Sequence, residues 1–196
     1  MPNAEIKMTE KESLELITSM INQAKEKVSE SGTLYLLWGW LILFCCIVQF
    51  VGLTFFNYPN VYWVWTLTWV VLIIQAFYLL NKRKRRRVKT YMRELNGYIW
   101  LVFFISLMLL FFINWHFNAY KIFNPLLLVL YGMPTFLSGI ILKFRPLIIG
   151  GICCWILAVV AVFIPLDYQV LLIAVAIVSA WIIPGYILKK NFKKEN

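Results

Sequence analysis

Acidic residues are scarce in this chain, and most of them sit where an active site could not use them. Of nine Asp and Glu in 196 residues, six precede position 31, leaving Glu94, Asp167 and Glu195, and His116 is the single histidine. Enzymes that work in membranes still need acids, bases, nucleophiles or metal ligands. The sequence also lacks HExxH, a phosphate loop, a paired-carboxylate motif and a dinucleotide glycine fingerprint. A serine hydrolase needs a glycine-framed serine beside a histidine; Ser138-Gly139 and His116 are the nearest approach, and they are expected toward opposite membrane faces. The sequence reading is therefore no catalytic residue, no cofactor and no metal.

Charge of either sign is missing from the long apolar runs. The composition is 62% hydrophobic, 17% aromatic and 14% charged, far from that of a soluble domain, and it reads as an integral membrane protein. Ion-coupled transport usually leaves a charge inside a span, and none is placed there. Gln49, Thr54, Thr66, Thr68, Gln75, Ser106, Ser138 and Ser179 are the polar groups in the runs, suited to interhelical hydrogen bonds. The first thirty residues are polar, with no short apolar run before a small-residue cleavage site, so the first span is expected to act as an uncleaved insertion signal. The cysteines form two adjacent pairs, Cys45 with Cys46 and Cys153 with Cys154. Neighbours on a helix point about 100° apart, which suits apolar filling and not a metal clip.

What the sequence does contain is a basic run. KRKRRRVKTYMR, positions 82–93, holds eight Lys or Arg between two apolar segments. Basic residues near spans stay on the cytoplasmic side. Past the first span, fourteen basic residues fall in the inner linkers and tail and only Lys121 falls outside, so both termini are expected in the cytoplasm. The topology rule accounts for the net charge of +10 without nucleic acid. Lys82, Arg83, Lys84, Arg85, Arg86 and Arg87 are the expected contacts to anionic lipid headgroups.

The expected fold class is all-α: a polytopic membrane protein with six transmembrane helices plus an N-terminal cytosolic amphipathic helix. Residues 1–8 read as a disordered tip, 9–31 as the amphipathic helix, 32–188 as the transmembrane domain and 189–196 as a basic tail. The spans fall at about 34–56, 61–80, 97–114, 125–142, 147–164 and 168–188. Asn124 and Pro125 look like a cap and first helical residue of the fourth span. Pro134 should kink that span and bury it among neighbours able to satisfy the freed carbonyl.

The N-terminal helix starts with the capping-box spacing of Thr9 and Glu12. Leu14, Ile17, Ile21, Ala24 and Val28 recur at intervals of three and four, and Met20 widens the stripe. Glu outnumbers Lys on its polar side, so it suits a protein surface better than lipid. Its partner is the protein's own cytoplasmic face, the basic run included, another copy or a partner helix.

Two features bear on the interior. Ser138-Gly-Ile-Ile-Leu-Lys143 echoes Pro184-Gly-Tyr-Ile-Leu-Lys189, with Gln75-Ala-Phe-Tyr-Leu-Leu80 a degenerate third copy, and the odd spans carry Gly39, Gly97 and Gly151. Three consecutive helical hairpins would produce this, and so would the common small-apolar-Lys ending of an inward helix. Gln75, Gly132, Pro134, Ser138, Gly139, Pro184 and Gly185 are the candidate wall of an intramembrane cavity for an uncharged or lipophilic solute.

Positions 13–43, an amphipathic helix leading into LYLLWGWLIL, resemble a group of small bacterial integral membrane proteins of uncharacterised activity with a similar helix and a Leu-Trp-Gly-Trp opening. The resemblance implies a bacterial inner-membrane location and nothing catalytic. The functional expectation is a non-enzymatic membrane protein acting through protein association, self-association included; the alternative is a small transporter or channel.

Overall fold

Hydrocarbon offers no hydrogen bonds, so a chain crossing it must satisfy its own N–H and C=O groups, and helices do this within one segment. The computed structural model describes residues 10–56, 58–83 and 91–194, with side chains described for 32–56, 58, 60–77 and 94–190. The elements are α1 (Glu10–Thr54), a 3₁₀ segment (Pro59–Trp65), α2 (Thr66–Arg83), α3 (Tyr91–Phe117), α4 (Tyr120–Ile141), α5 (Arg145–Val162), α6 (Leu166–Ile177), a π-helical turn (Val178–Ile182) and α7 (Ile183–Lys194). No strand occurs among the described residues. Among the described residues six stretches are long and apolar enough to cross a membrane: Gly32–Thr54, Asn60–Phe77, Glu94–Phe117, Tyr120–Ile141, Arg145–Val162 and Leu166–Lys190. This is the all-α architecture of a multi-pass membrane protein.

Three boundaries differ from the expected ones. The separate N-terminal helix and first span are one uninterrupted helix, α1. No glycine has positive φ, so Gly32, just past the expected end of the amphipathic helix at 31, forms no left-handed cap. Gly32 instead lets α7 approach: a Cβ there would lie 3.2 Å from the Gly185 carbonyl and from Leu188 Cβ. The second span opens as a 3₁₀ segment before becoming α-helical at Thr66. The fourth helix begins at Tyr120, not at Pro125, which lies inside it.

Pro125 is accommodated by a distant side chain. Proline has no N–H to give the carbonyl four residues back, here Lys121. The Gln169 amide supplies that donor: Nε2 donates to Lys121 O at 3.3 Å, and also to Ala161 O and Ile164 O at 3.1 Å, joining the start of α4 to the end of α5. Pro184 is handled differently. Its ring would clash with the Ala180 carbonyl in a regular helix, and just before it the helix widens into the π turn, where Ile183 N–H donates to Val178 O.

The short turn from α4 to α5 is closed by Phe144 N–H to Gly139 O at 2.8 Å and Lys143 N–H to Ile140 O at 3.1 Å. These are the bonds of a Schellman motif, and Lys143 stands in the left-handed position at φ 51°.

The core lies at the fourth and sixth spans, 50% and 56% buried within the protein, against 6% for the second and 11% for the third. The sixth span packs on α1, α4 and α5, and α4 packs most extensively on α5. Among the described residues α3 touches only α4 in backbone terms, and α2 leans on α1 and the 3₁₀ segment. The fourth span is thus buried among the others, as Pro134 had implied.

Candidate functional site

Helix geometry disperses the seven cavity candidates over four helix contacts. Gly132 and Gly139 form the close crossing of α4 with α5: a Cβ on Gly132 would strike the Trp155 indole and come within 3.0 Å of Gly151 O, and one on Gly139 would sit 2.7 Å from Ile148 N. Pro134 is fully buried in the same helix. Pro184 is also fully buried, and Gly185 faces α1, where a Cβ would lie 3.0 Å from Leu36 Cγ and 3.2 Å from Gly32 O. Gln75 accepts a hydrogen bond from Trp38 Nε1. Ser138 Oγ donates to Asn96 Oδ1 at 2.7 Å. These residues occupy helix seams and are taken up by them; they do not converge on one shared space.

Large aromatic side chains pack together beside Thr135 and Ser138. Trp100, Phe103, Tyr131 and Trp181 form a closed circuit of rings with centroids 5.5, 5.7, 5.2 and 5.9 Å apart, and Tyr35 joins it at 6.0 Å from Trp100. These are favourable edge and tilted spacings. The circuit draws on α1, α3, α4 and the π turn, and it stands between α1 and α3, whose Cα atoms stay more than 8 Å apart among the described residues.

A polar lining accompanies the rings. Trp181 Nε1 donates to Thr135 Oγ1 at 2.9 Å, and Thr135 Oγ1 donates to Tyr131 O at 2.8 Å. The Tyr35 hydroxyl reaches Ser138. The acceptor beside Ser138 is the Asn96 amide, which has no basicity with which to take a proton, and His116 lies in the last turn of α3, at the other end of the α3–α4 pair.

Asn96, Thr135, Trp181 and Gln169 carry much of the buried polar bonding and were not singled out from sequence. Gln169 had a readable signal, since it is the one amide at the start of the sixth span in a chain whose fourth span carries Pro125. Its Oε1 is buried with no partner. Asn96 had none, because its partner Ser138 is 42 residues away.

Cys45, Cys46 and Cys154 are fully buried and free, Cys153 is half-buried, and no cluster of three His, Cys, Asp or Glu occurs among the described residues. A second tryptophan bond, Trp65 Nε1 to Gln49 Oε1 at 2.6 Å, matches Trp38 to Gln75, so two indole-to-amide ties hold the second span to α1. The stripe Leu14, Ile17, Met20, Ile21, Ala24 and Val28 lies in α1 where side chains are not described; Lys82 and Arg83 close α2; Lys84, Arg85, Arg86 and Arg87 lie outside the described residues.

These features define a multi-pass helical membrane protein with an aromatic-filled core. No family model matches the chain, and neither does any curated protein or solved structure.

Proposed function

We propose that this is a non-enzymatic protein of the bacterial inner membrane, with both termini in the cytoplasm, that works by protein association through α1, a second copy of the chain being the first partner to test. The continuity of α1 carries the reading. Its 45 residues extend about 68 Å at 1.5 Å per residue, more than twice a hydrocarbon core of about 30 Å. The span Gly32–Thr54 accounts for roughly half, and the rest, bearing the apolar stripe and the Glu-rich side, runs on from it without a joint. Anything bound to that stripe is rigidly coupled to the bundle, because the same helix packs along α6 and α7. The fourteen-to-one distribution of basic residues supports the orientation.

The sequence favoured pairing of the acidic side with the basic run; the fold supplies another neighbour. α1 and α7 run antiparallel with Gly32 beside Lys189 N, so continuing that register brings 26–30 alongside 190–194. Glu26 and Glu30 therefore share a level with Lys190, Lys193 and Lys194.

The three-hairpin reading also gains support from the seams. Gly151 of the fifth span packs on the fourth span at Phe136, and Gly39 of the first packs on the sixth at Ile182. In these two seams the first helix of one hairpin receives the second helix of another through its glycine, whereas nothing lies within 4 Å of a Cβ at Gly97 of the third span.

The test is the mass of the purified protein in a mild detergent, by light scattering, for the full chain and for a chain lacking residues 1–31. Association through α1 gives an oligomer that becomes a monomer on deletion while the helical content of the bundle persists. A full-length monomer that recovers no partner, or an oligomer unchanged by deletion, overturns the proposal. Transport of a lipophilic solute is the second reading, favoured by the π turn and the buried Pro134 and Pro184.

A further inference from the structure

We infer that the groove between the C-terminal end of α1 and the 3₁₀ segment is a binding site for a neutral hexopyranose, either free or as the headgroup of a glycolipid. The site is independent of association through α1, whose apolar stripe lies at the other end of that helix.

The groove has a volume of about 420 Å³ and is lined by Val48 of α1, Tyr58 at the cap of the 3₁₀ segment, and Asn60, Val61, Trp63 and Val64 within that segment. Small-molecule sites occupy about 300–1,000 Å³, so a sugar ring is of suitable size. Its wall is pinned to α1 along two turns of helix. Tyr58 N–H donates to Gly52 O at 3.0 Å, and Trp65 Nε1 donates to Gln49 Oε1 at 2.6 Å. The Cys45 thiol donates to Val64 O at 3.6 Å. Gly52 lets the segment seat directly on the helix, since a Cβ there would lie 2.5 Å from Val61 Cγ2. A groove whose wall is already fixed loses little conformational freedom when it fills.

The chemistry of the lining selects the ligand. No charged residue occurs between Glu30 and Lys82, and none lines the groove, so phosphates, carboxylates and amines find no countercharge there. Val48, Val61 and Val64 make part of the lining apolar. Tyr58 and Trp63 are each more than half exposed, and among the described residues neither ring contacts another ring. Their faces are free for stacking. The Tyr58 hydroxyl, the Asn60 amide and the Trp63 indole N–H likewise form no hydrogen bond among the described residues, which leaves donors and acceptors beside those faces. A pyranose matches both surfaces: a face of C–H groups lies on an aromatic ring, and a rim of hydroxyls both donates and accepts. An acyl chain would cover the amide and the indole N–H without pairing them, which is unfavourable.

The experiment uses the full chain in a polyoxyethylene detergent, which carries no sugar. Saturation-transfer NMR is recorded with methyl glucoside, with octyl glucoside below its micellar concentration, and with octyl tetraethylene glycol, which keeps the tail and lacks the ring. Saturation is expected at the ring C–H protons of the glucosides, with no competition from octyl tetraethylene glycol. Binding of both glucosides identifies a free saccharide, and binding of octyl glucoside alone identifies a glycolipid headgroup; either supports the site. Joint replacement Asn60→Ala and Trp63→Leu should raise the glucoside concentration for half-saturation by at least about tenfold. Trp115→Leu, which removes another exposed indole, should leave it unchanged. No transfer to either glucoside, equal competition by octyl tetraethylene glycol, or an equal loss in Trp115→Leu would each overturn the site. If the double variant fails to fold, a diazirine-bearing glucoside applied to the unaltered protein decides: label recovered within residues 58–64 supports the site, and label recovered only elsewhere refutes it.

Discussion

Adding one methyl group at each of two glycines separates packing from helix propensity. Gly150 lies in α5 against the π turn, where a Cβ would come 2.5 Å from Ala180 Cα and 3.0 Å from Ser179 O. Carbon atoms at rest stand about 3.5–4.0 Å apart, so one backbone must retreat by about 1 Å. The obstacle is main chain, which has no rotamer to change. The displaced turn carries Trp181, whose indole bonds Thr135 and whose ring contacts Trp100 and Tyr131. Overpacking of this kind costs about 1–3 kcal/mol, against a propensity gain of up to about 1 kcal/mol. Gly97→Ala receives the gain alone, since nothing lies within 4 Å. In lipid-free detergent, with unfolding followed by tryptophan fluorescence, Gly150→Ala should lower stability by about 1–2 kcal/mol and Gly97→Ala raise it by about 0.5–1 kcal/mol. At this chain length each kcal/mol corresponds to about 2–4 °C in Tm. If the two variants move together, or Gly150→Ala is the more stable, the claim that α5 seats directly on the π turn is wrong.

Substitutions at five other positions probe the remaining devices. Gln169→Leu removes the donor to three carbonyls and should cost about 2 kcal/mol in the same titration. Thr135→Val strands the Trp181 indole N–H and should cost about 1–3 kcal/mol, whereas Thr135→Ser should keep most of the stability. Gln49→Leu and Gln75→Leu each cut one tie to the second span; their costs of about 0.6–2 kcal/mol should add, with hydrogen exchange rising in α2 while α4 and α5 stay protected. Lys143→Gly, at φ 51°, should gain about 1 kcal/mol by removing the left-handed strain of the α4–α5 turn.

Much of the fold was legible because lipid imposes a coarse rule: apolar runs of about twenty residues must be helices. Hence the six spans were found, with ends displaced by a few residues. Pro125 shows why the ends moved. Locally it reads as a first helical residue, but the helix extends upstream because Gln169, more than forty positions later, supplies the missing donor. Gly32, at the expected boundary between the amphipathic helix and the first span, interrupts nothing and serves as a contact to α7. The cavity candidates were chosen as the small, kinking and polar residues of the spans, which are also the residues that tight helix seams require. Local sequence cannot separate those two uses, because the difference lies in whether another helix fills the space beside each residue.

Sequence by itself determined the class, the number of spans and the asymmetry of charge, since each follows from composition within one segment and from where the charged linkers fall. Only the tertiary structure decided that α1 is unbroken, that Trp100, Phe103, Tyr131 and Trp181 fill the space between α1 and α3, and that α2 and α3 make no contact among the described residues. Those outcomes depend on which helices become neighbours, and the bilayer's demand for satisfied backbone bonds is met equally well by every arrangement of the same six spans.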